Sequence, residues 1–124
     1  MAVFIVEKVV DGAILVDLRG RITMGPETEA LRNKMKELIE AGRQRIILNL
    51  GEVTYMDSTG ISTLVSCHTS VCKAGGILKL LHLPRNVQQV LEVYRLIAIF
   101  EVYEDLGTAV ESFQTATRPA PPPP

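Results

Sequence analysis

The run Arg45-Ile46-Ile47-Leu48-Asn49-Leu50 constrains this chain more than any other segment. Its apolar residues fall at consecutive positions, so neither face of a strand built from it can be left to water. A continuous run of this kind, followed by a helix, predicts a central strand covered at least in part on both faces. A chain of 124 residues has room for one such core, and its 47 % hydrophobic content fills one without disulfide or metal staples.

The flanking patterns supply the cover. Residues 3–10 are rich in strand formers, and Asp11-Gly12 is a hairpin-turn signal. In Ala13 to Gly20, Ile14, Val16 and Leu18 share one face while Asp17 and Arg19 share the other, which predicts a strand with one wet face. Gly25-Pro26-Glu27 opens a helix, because proline in the first turn lacks only a donor that would be orphaned anyway. Leu31, Met35, Leu38 and Ile39 form its buried stripe, and Ala41-Gly42 ends it. A loop is expected from Gly51 to Met56, then a second helix from Asp57 or Ser58, with Ile61, Leu64, Val65, His68, Val71 and Cys72 on its apolar side.

Gly75-Gly76 stops that helix, and Ile77 to His82 is another strand. Pro84 starts a third helix carrying Val87, Val90, Leu91 and Tyr94 on one side. Ile97 to Tyr103 is expected as a short edge strand, and Leu106, Ala109, Val110 and Phe113 mark a last helix. The order β-β-α-β-α-β-α-β-α predicts an α/β fold. One mixed sheet of about five strands has an opening antiparallel hairpin, parallel crossovers and about four helices packed mostly on one face. Residues 1–114 form the domain, and the proline-rich segment 115–124 is expected to be an extended, disordered tail.

Charge and cysteine content exclude several functions. With 13 basic and 14 acidic residues interspersed, the chain lacks the clustered positive excess a nucleic-acid binder needs. Cys67 and Cys72 stand roughly 140° apart around a helix at 100° per residue, so a disulfide between them is implausible and two reduced thiols are expected. The first residues have no basic stretch and their apolar run is broken by Glu7 and Lys8, so no signal peptide is expected. No segment approaches the roughly 18–20 apolar residues that cross a bilayer, which predicts a cytoplasmic protein without membrane insertion.

The informative stretch is Val53-Thr54-Tyr55-Met56-Asp57-Ser58-Thr59-Gly60-Ile61. It places three helix-capping residue types and a glycine directly after the central strand. A helix start has unpaired N–H groups and a positive dipole end, so it accommodates added negative charge. A phosphoryl group on Ser58 would add about −1.5 to −2 charges at pH 7, attracted by the helix end and repelled by the Asp57 carboxylate. Taken alone, Asp57, Ser58 and Thr59 are equally well read as ordinary N-caps.

Several segments together resemble the STAS-domain anti-sigma factor antagonists of bacterial partner-switching systems. They are Leu18-Arg19-Gly20, the strand Ile46 to Leu50 with Val53-Thr54-Tyr55-Met56-Asp57-Ser58-Thr59-Gly60 at family spacing, Lys73-Ala74-Gly75-Gly76, and the Pro84-led helix with Val87 and Leu91. The resemblance covers roughly residues 3 to 110. It implies a binding module: the unphosphorylated antagonist binds an anti-sigma factor that is itself a serine kinase, and so frees the sigma factor. Phosphorylation of the serine after the aspartate, here Ser58, releases it, and a PP2C-type phosphatase resets it. Thr59 is a second candidate acceptor, supported by Asp57 and Gly60.

By contiguity, Arg21, Thr23, Met24, Gly25, Asp57, Ser58, Thr59 and Ser62 form the expected partner-binding surface. Arg21 and Thr23 stand where many members of the family carry acids, Ser62 where a glycine is usual, and Tyr94-Arg95 where a small residue and a glycine commonly end the third helix. A monomer or weak dimer without cofactor or metal is expected.

Two other readings compete. A hydrolase triad of Ser58, Asp57 and His68 or His82 fails on distance, since His68 lies roughly 15 Å along the helix at 1.5 Å per residue, outside hydrogen-bond reach. His68 is expected to be a structural, at least half-buried histidine and His82 a surface residue. A STAS scaffold or transporter partner without a phospho-switch is the alternative within the family, distinguished by the partner found with it.

Overall fold

Asp11 and Gly12 both take positive φ, 48° and 84°, the mirror-image turn that matches the twist of a two-residue hairpin. That turn sets the register of β1 (Phe4–Val10) against β2 (Ala13–Ile22), from Val10 opposite Ala13 to Phe4 opposite Arg19. The computed structural model describes residues 4–115, with side chains through Phe113; of the expected tail, 115–124, only Thr115 is described, as the last residue of a helix, and the rest lies outside the described residues.

After the hairpin come α1 (Pro26–Glu40), β3 (Arg45–Met56), α2 (Ser58–Lys73), β4 (Ile77–Leu81), α3 (Arg85–Val93), a 3₁₀ turn (Ile97–Ile99), β5 (Glu101–Tyr103) and α4 (Leu106–Thr115). The five strands lie side by side in chain order. Only β1–β2 is antiparallel; the other three pairings are parallel. The architecture is the expected mixed sheet with four helices.

The larger core lies under α1, α2 and α3, where Ile14, Val16, Leu18, Ile46, Leu48 and Leu80 of the sheet meet Leu31, Met35, Leu64, Val71 and Leu91. A smaller cluster on the other face joins Ala13, Leu15, Ile47 and Leu81 to Ala109, Val110 and Phe113 of α4. Three helices on one face and one on the other satisfy the expected asymmetry. The central strand is indeed covered on both faces, since Ile46, Ile47 and Leu48 are all buried.

Several local expectations are corrected. The segment Gly51 to Met56 is not a loop: β3 continues through it, because β2 also extends to Ile22 and pairs with it as far as Ile22 opposite Met56, with two register shifts. Gly51 serves close packing, since a Cβ there would lie 3.1 Å from the His82 Cβ. Arg21 and Ile22 are therefore strand residues. The face of β2 expected to be wet is dry at Ala13 and Leu15, which α4 covers, and opens only at Asp17 and Arg19.

In α2 the inner thiol is Cys67, and Cys72 is exposed. Burial raises the Cys67 pKa to about 12, so that thiol is inert at neutral pH. Tyr94 is also exposed, because α3 ends at Val93 and the chain turns away at Arg95 with φ 59°. Ile97–Ile99 forms a 3₁₀ turn where a strand was expected, leaving β5 only three residues.

Lys79 is the one feature here with no sequence forewarning. It is 1 % exposed on the α4 face, yet its Nζ donates to Glu101 Oε1 at 2.9 Å and to Ser112 Oγ at 2.6 Å. It also lies 4.6 Å from the Phe113 ring centroid. A buried cation needs such partners, and these tie α4 to the sheet.

Candidate functional site

The site is organised by Asp57. It leaves β3 in an extended conformation (φ −89°, ψ −175°) and caps α2, its Oδ1 accepting the Gly60 N–H at 2.8 Å. Its Oδ2 accepts the Met24 N–H at 2.9 Å, so one carboxylate joins the β2–α1 connection to the start of α2. These bonds, Met24's first and Gly60's next, hold the Asp57 carboxyl below its ordinary value of 3.8.

Gly60 completes the joint. A Cβ there would collide with the Ile22 carbonyl oxygen, so only glycine lets the first turn of α2 pack on the end of β2. The Asp57 carbonyl accepts from the Ile61 N–H at 3.0 Å, and the Thr59 N–H also acts on the Asp57 carboxylate, so the cap satisfies most of the first turn of α2.

Ser58 is the first residue of α2 and is exposed; its side chain has no hydrogen-bond partner among the described residues. Thr59 is half-buried, and Ser62 is exposed one turn further on. Ser58 thus offers an exposed hydroxyl at the positive end of a 16-residue helix.

The remaining expected residues surround this point. Met24 is 73 % exposed at the tip of the connection. Gly25, with φ 116°, starts α1, and the Thr23 hydroxyl donates to Glu27 at 3.0 Å. Arg21 is exposed, with its guanidinium carbon 5.0 Å from the Tyr55 ring centroid. The Asp57–Met24 bond brings Thr23, Met24 and Gly25 alongside Ser58.

A groove of about 670 Å³ opens beside Ser58 and holds side chains that sequence reasoning did not assign to the site. Ser58, Ser62 and Ile61 line it together with Tyr55, Val90, Tyr94 and Leu96. Thr23, Met24 and Gly25 stand outside it. The signal that would have found it is the apolar end of α3: Tyr94, 69 % exposed, has an aromatic ring that the core does not use.

The two histidines stand elsewhere. His68 is half-buried, edge-on to the Phe100 ring at 5.2 Å between centroids, with Nε2 3.6 Å from the Cys72 sulfur. His82 is exposed, with φ 54°. Both fit the structural and surface roles expected of them. Among the described residues no cluster of His, Cys, Asp and Glu could hold a metal ion, and no helix is long and apolar enough to cross a membrane.

A mixed five-stranded sheet whose central strand delivers a carboxylate-capped helix start is the architecture of STAS domains. The STAS domain model matches residues 5–109, and the chain belongs to that family. Curated proteins it resembles are named as anti-sigma factor antagonists or candidates for that role. The anti-sigma-B factor antagonist of Bacillus subtilis (strain 168) is 34 % identical over 89 residues, 72 % of this chain and 80 % of that one. BtrV of Bordetella bronchiseptica, named as a candidate antagonist, is 26 % identical over 107 residues, 86 % of this chain and 91 % of that one.

Solved structures share the fold. The crystal structure of a candidate anti-sigma factor antagonist from Thermotoga maritima superposes with a TM-score of 0.81 at 22 % identity, covering 89 % of this chain and 94 % of that one. The Bacillus cell fate determinant SpoIIAA in its phosphorylated form gives 0.69 at 20 % identity, covering 90 % and 98 %. The fold also occurs in the murine anion transporter Slc26a9, with a TM-score of 0.70 at 19 % identity over 87 % of this chain and 18 % of that one.

Proposed function

We propose that this protein is a phosphorylation-gated anti-sigma factor antagonist of the cytoplasm. Unphosphorylated, it binds an anti-sigma factor that is a serine kinase and frees the sigma factor. The kinase phosphorylates Ser58 and the complex separates; a PP2C-type phosphatase restores the hydroxyl. The protein is the substrate and binding partner in this cycle, not a catalyst.

The observation that carries the reading is the placing of Ser58: an exposed hydroxyl at a helix start, on the edge of a partly apolar groove. A partner seated in the groove and on the Arg21 to Gly25 connection covers Ser58, as it also covers Thr59 and Ser62. A phosphoryl group of about −1.5 to −2 charges there cannot be desolvated beside the Asp57 carboxylate without cost. The relatives named antagonists support the partner class, and a structural neighbour solved in a phosphorylated form supports the chemistry.

The test is to measure binding of candidate anti-sigma factors to wild type, Ser58→Ala and Ser58→Glu. Wild type and Ser58→Ala bind alike, and ATP releases only the wild type. Ser58→Glu keeps the fold and binds at least about tenfold more weakly, a loss of about 1.4 kcal/mol. Equal binding by all three variants sinks the phospho-switch. It leaves the second reading, a STAS scaffold or transporter partner, which the same fold in an anion transporter favours; co-purification of a permease in place of a kinase would then identify it.

A further inference from the structure

The strand β1 ends the sheet among the described residues, with one edge paired to β2 and the other unpaired. Sheet edges are normally blunted by shortness, bulges, prolines or charged side chains, lysine above all. The opposite edge, β5, is three residues long. β1 is seven residues long, Phe4-Ile5-Val6-Glu7-Lys8-Val9-Val10, contains no proline and pairs with β2 without a register shift. Phe4, Val6 and Val9 are 61 %, 48 % and 64 % exposed. Its two charges are already paired within the chain, Glu7 with Lys34 at 3.0 Å and Lys8 with Asp17 at 3.5 Å, so a long, regular and otherwise apolar edge is left open to another strand.

We propose that the strand it takes is β1 of a second copy of this chain, giving a two-fold dimer with a continuous ten-stranded sheet. A two-fold axis perpendicular to the sheet makes the two strands antiparallel and keeps like faces on the same side. Residues can then face one another only if both point to the same side, so every allowed register is centred on a residue opposite itself.

Charge selects among these registers. Centring on Glu7 sets Glu7 against Glu7, and centring on Lys8 sets Lys8 against Lys8; directly opposed like charges are unfavourable. Centring on Val9 sets Glu7 against the acidic Asp11. Centring on Ile5 opposes no like charges but pairs only Phe4 to Val6 of the strand, whereas centring on Val6 pairs Phe4 to Lys8 and also opposes none: Val6 meets Val6, Ile5 meets Glu7, and Phe4 meets Lys8. The last pair lays an ammonium and its methylene stem against an aromatic ring.

The chain's near-neutral formal charge of −1 puts little repulsion between copies. Ser58 follows β3, two strands away from this edge, so the new pairing does not use the strand that leads to it. This inference is independent of the phospho-switch.

The experiment is sedimentation of the full chain from micromolar to sub-millimolar concentration, beside Val6→Lys. Wild type passes from monomer to dimer, and Val6→Lys, with an unchanged far-UV spectrum, weakens the dimer at least about tenfold by opposing two lysines. In a Cys72→Ser background, Val6→Cys forms an intermolecular disulfide under mild oxidation, because opposed Cα atoms lie about 4.5–5.5 Å apart, and Glu7→Cys does not. A wild type that remains monomeric throughout, a Val6→Lys dimer as tight as wild type, or equal cross-linking at Val6 and Glu7 overturns the proposal.

Discussion

The Gly60 Cα lies so close beneath the end of β2 that a methyl group on it would occupy the space of the Ile22 carbonyl oxygen. This contact, with the Asp57 carboxylate bridging Met24 and Gly60, joins the start of α2 and the β2–α1 connection into one continuous surface. Gly60→Ala must separate the two elements, since the obstructing atom is backbone. It is expected to cost about 2–3 kcal/mol, the upper part of the range for overpacking, read as a lower urea midpoint with an unchanged m-value.

Asp57→Ala removes the N-cap bond and the tie to Met24, and is expected to cost about 1–2 kcal/mol. The same group shapes the acid limb. Its pKa is depressed in the folded state, so its contribution is complete above the ordinary value of 3.8 and is lost as pH falls through the lower folded value. Urea titrations at several acidic pH values should show a shallower stability loss in Asp57→Asn than in wild type across that window.

Arg95 occupies the left-handed position after α3, with φ 59°, where its N–H and that of Leu96 bond back to Glu92 and Leu91. A Cβ in that conformation costs about 1–2 kcal/mol, offset in part by the greater freedom of glycine in the unfolded chain. Arg95→Gly is expected to stabilise the protein by about 0.5–1 kcal/mol, measured as a higher thermal midpoint.

The Lys79–Glu101 pair predicts an asymmetry. Lys79→Met places a similar apolar volume beside Phe113 and leaves Glu101, whose side chain is 55 % exposed, to water. It should be near neutral, within about 1 kcal/mol, as are many replacements of buried ion pairs by apolar side chains. Glu101→Ala strands the lysine nitrogen with Ser112 and Tyr103 as its remaining polar partners, and should cost more. Denaturation of the two variants side by side checks the order.

The order of elements was legible because each carries its own period and punctuation. Asp11-Gly12, Pro26, Gly42, Gly75 and Pro84 all stand at the boundaries expected of them. What failed was anything decided by a neighbour. Gly51 looks like a turn residue but accommodates His82, and the strand runs on because β2 has a partner edge to offer. Nothing in the pattern of the Ile77 to His82 strand marks Lys79 as buried, and only the fold reveals Ser112 and Glu101 around it.

The site divides in the same way. Asp57, Ser58, Thr59 and Gly60 are contiguous and could be read together, with Gly60's role hidden until Ile22 was seen above it. Of the groove only the aromatic residue ending α3 gave a signal, since Tyr55 of β3 meets Tyr94 and Leu96 only because of where α3 ends.

The central claim is that Ser58 is the phosphoacceptor. Its most direct test is intact-mass measurement of wild type and Ser58→Ala after incubation with ATP and the anti-sigma kinases of the same organism. The account predicts one added phosphoryl mass on wild type and none on Ser58→Ala, with one kinase responsible. No addition with any of those kinases, or addition to Ser58→Ala as well, would contradict it.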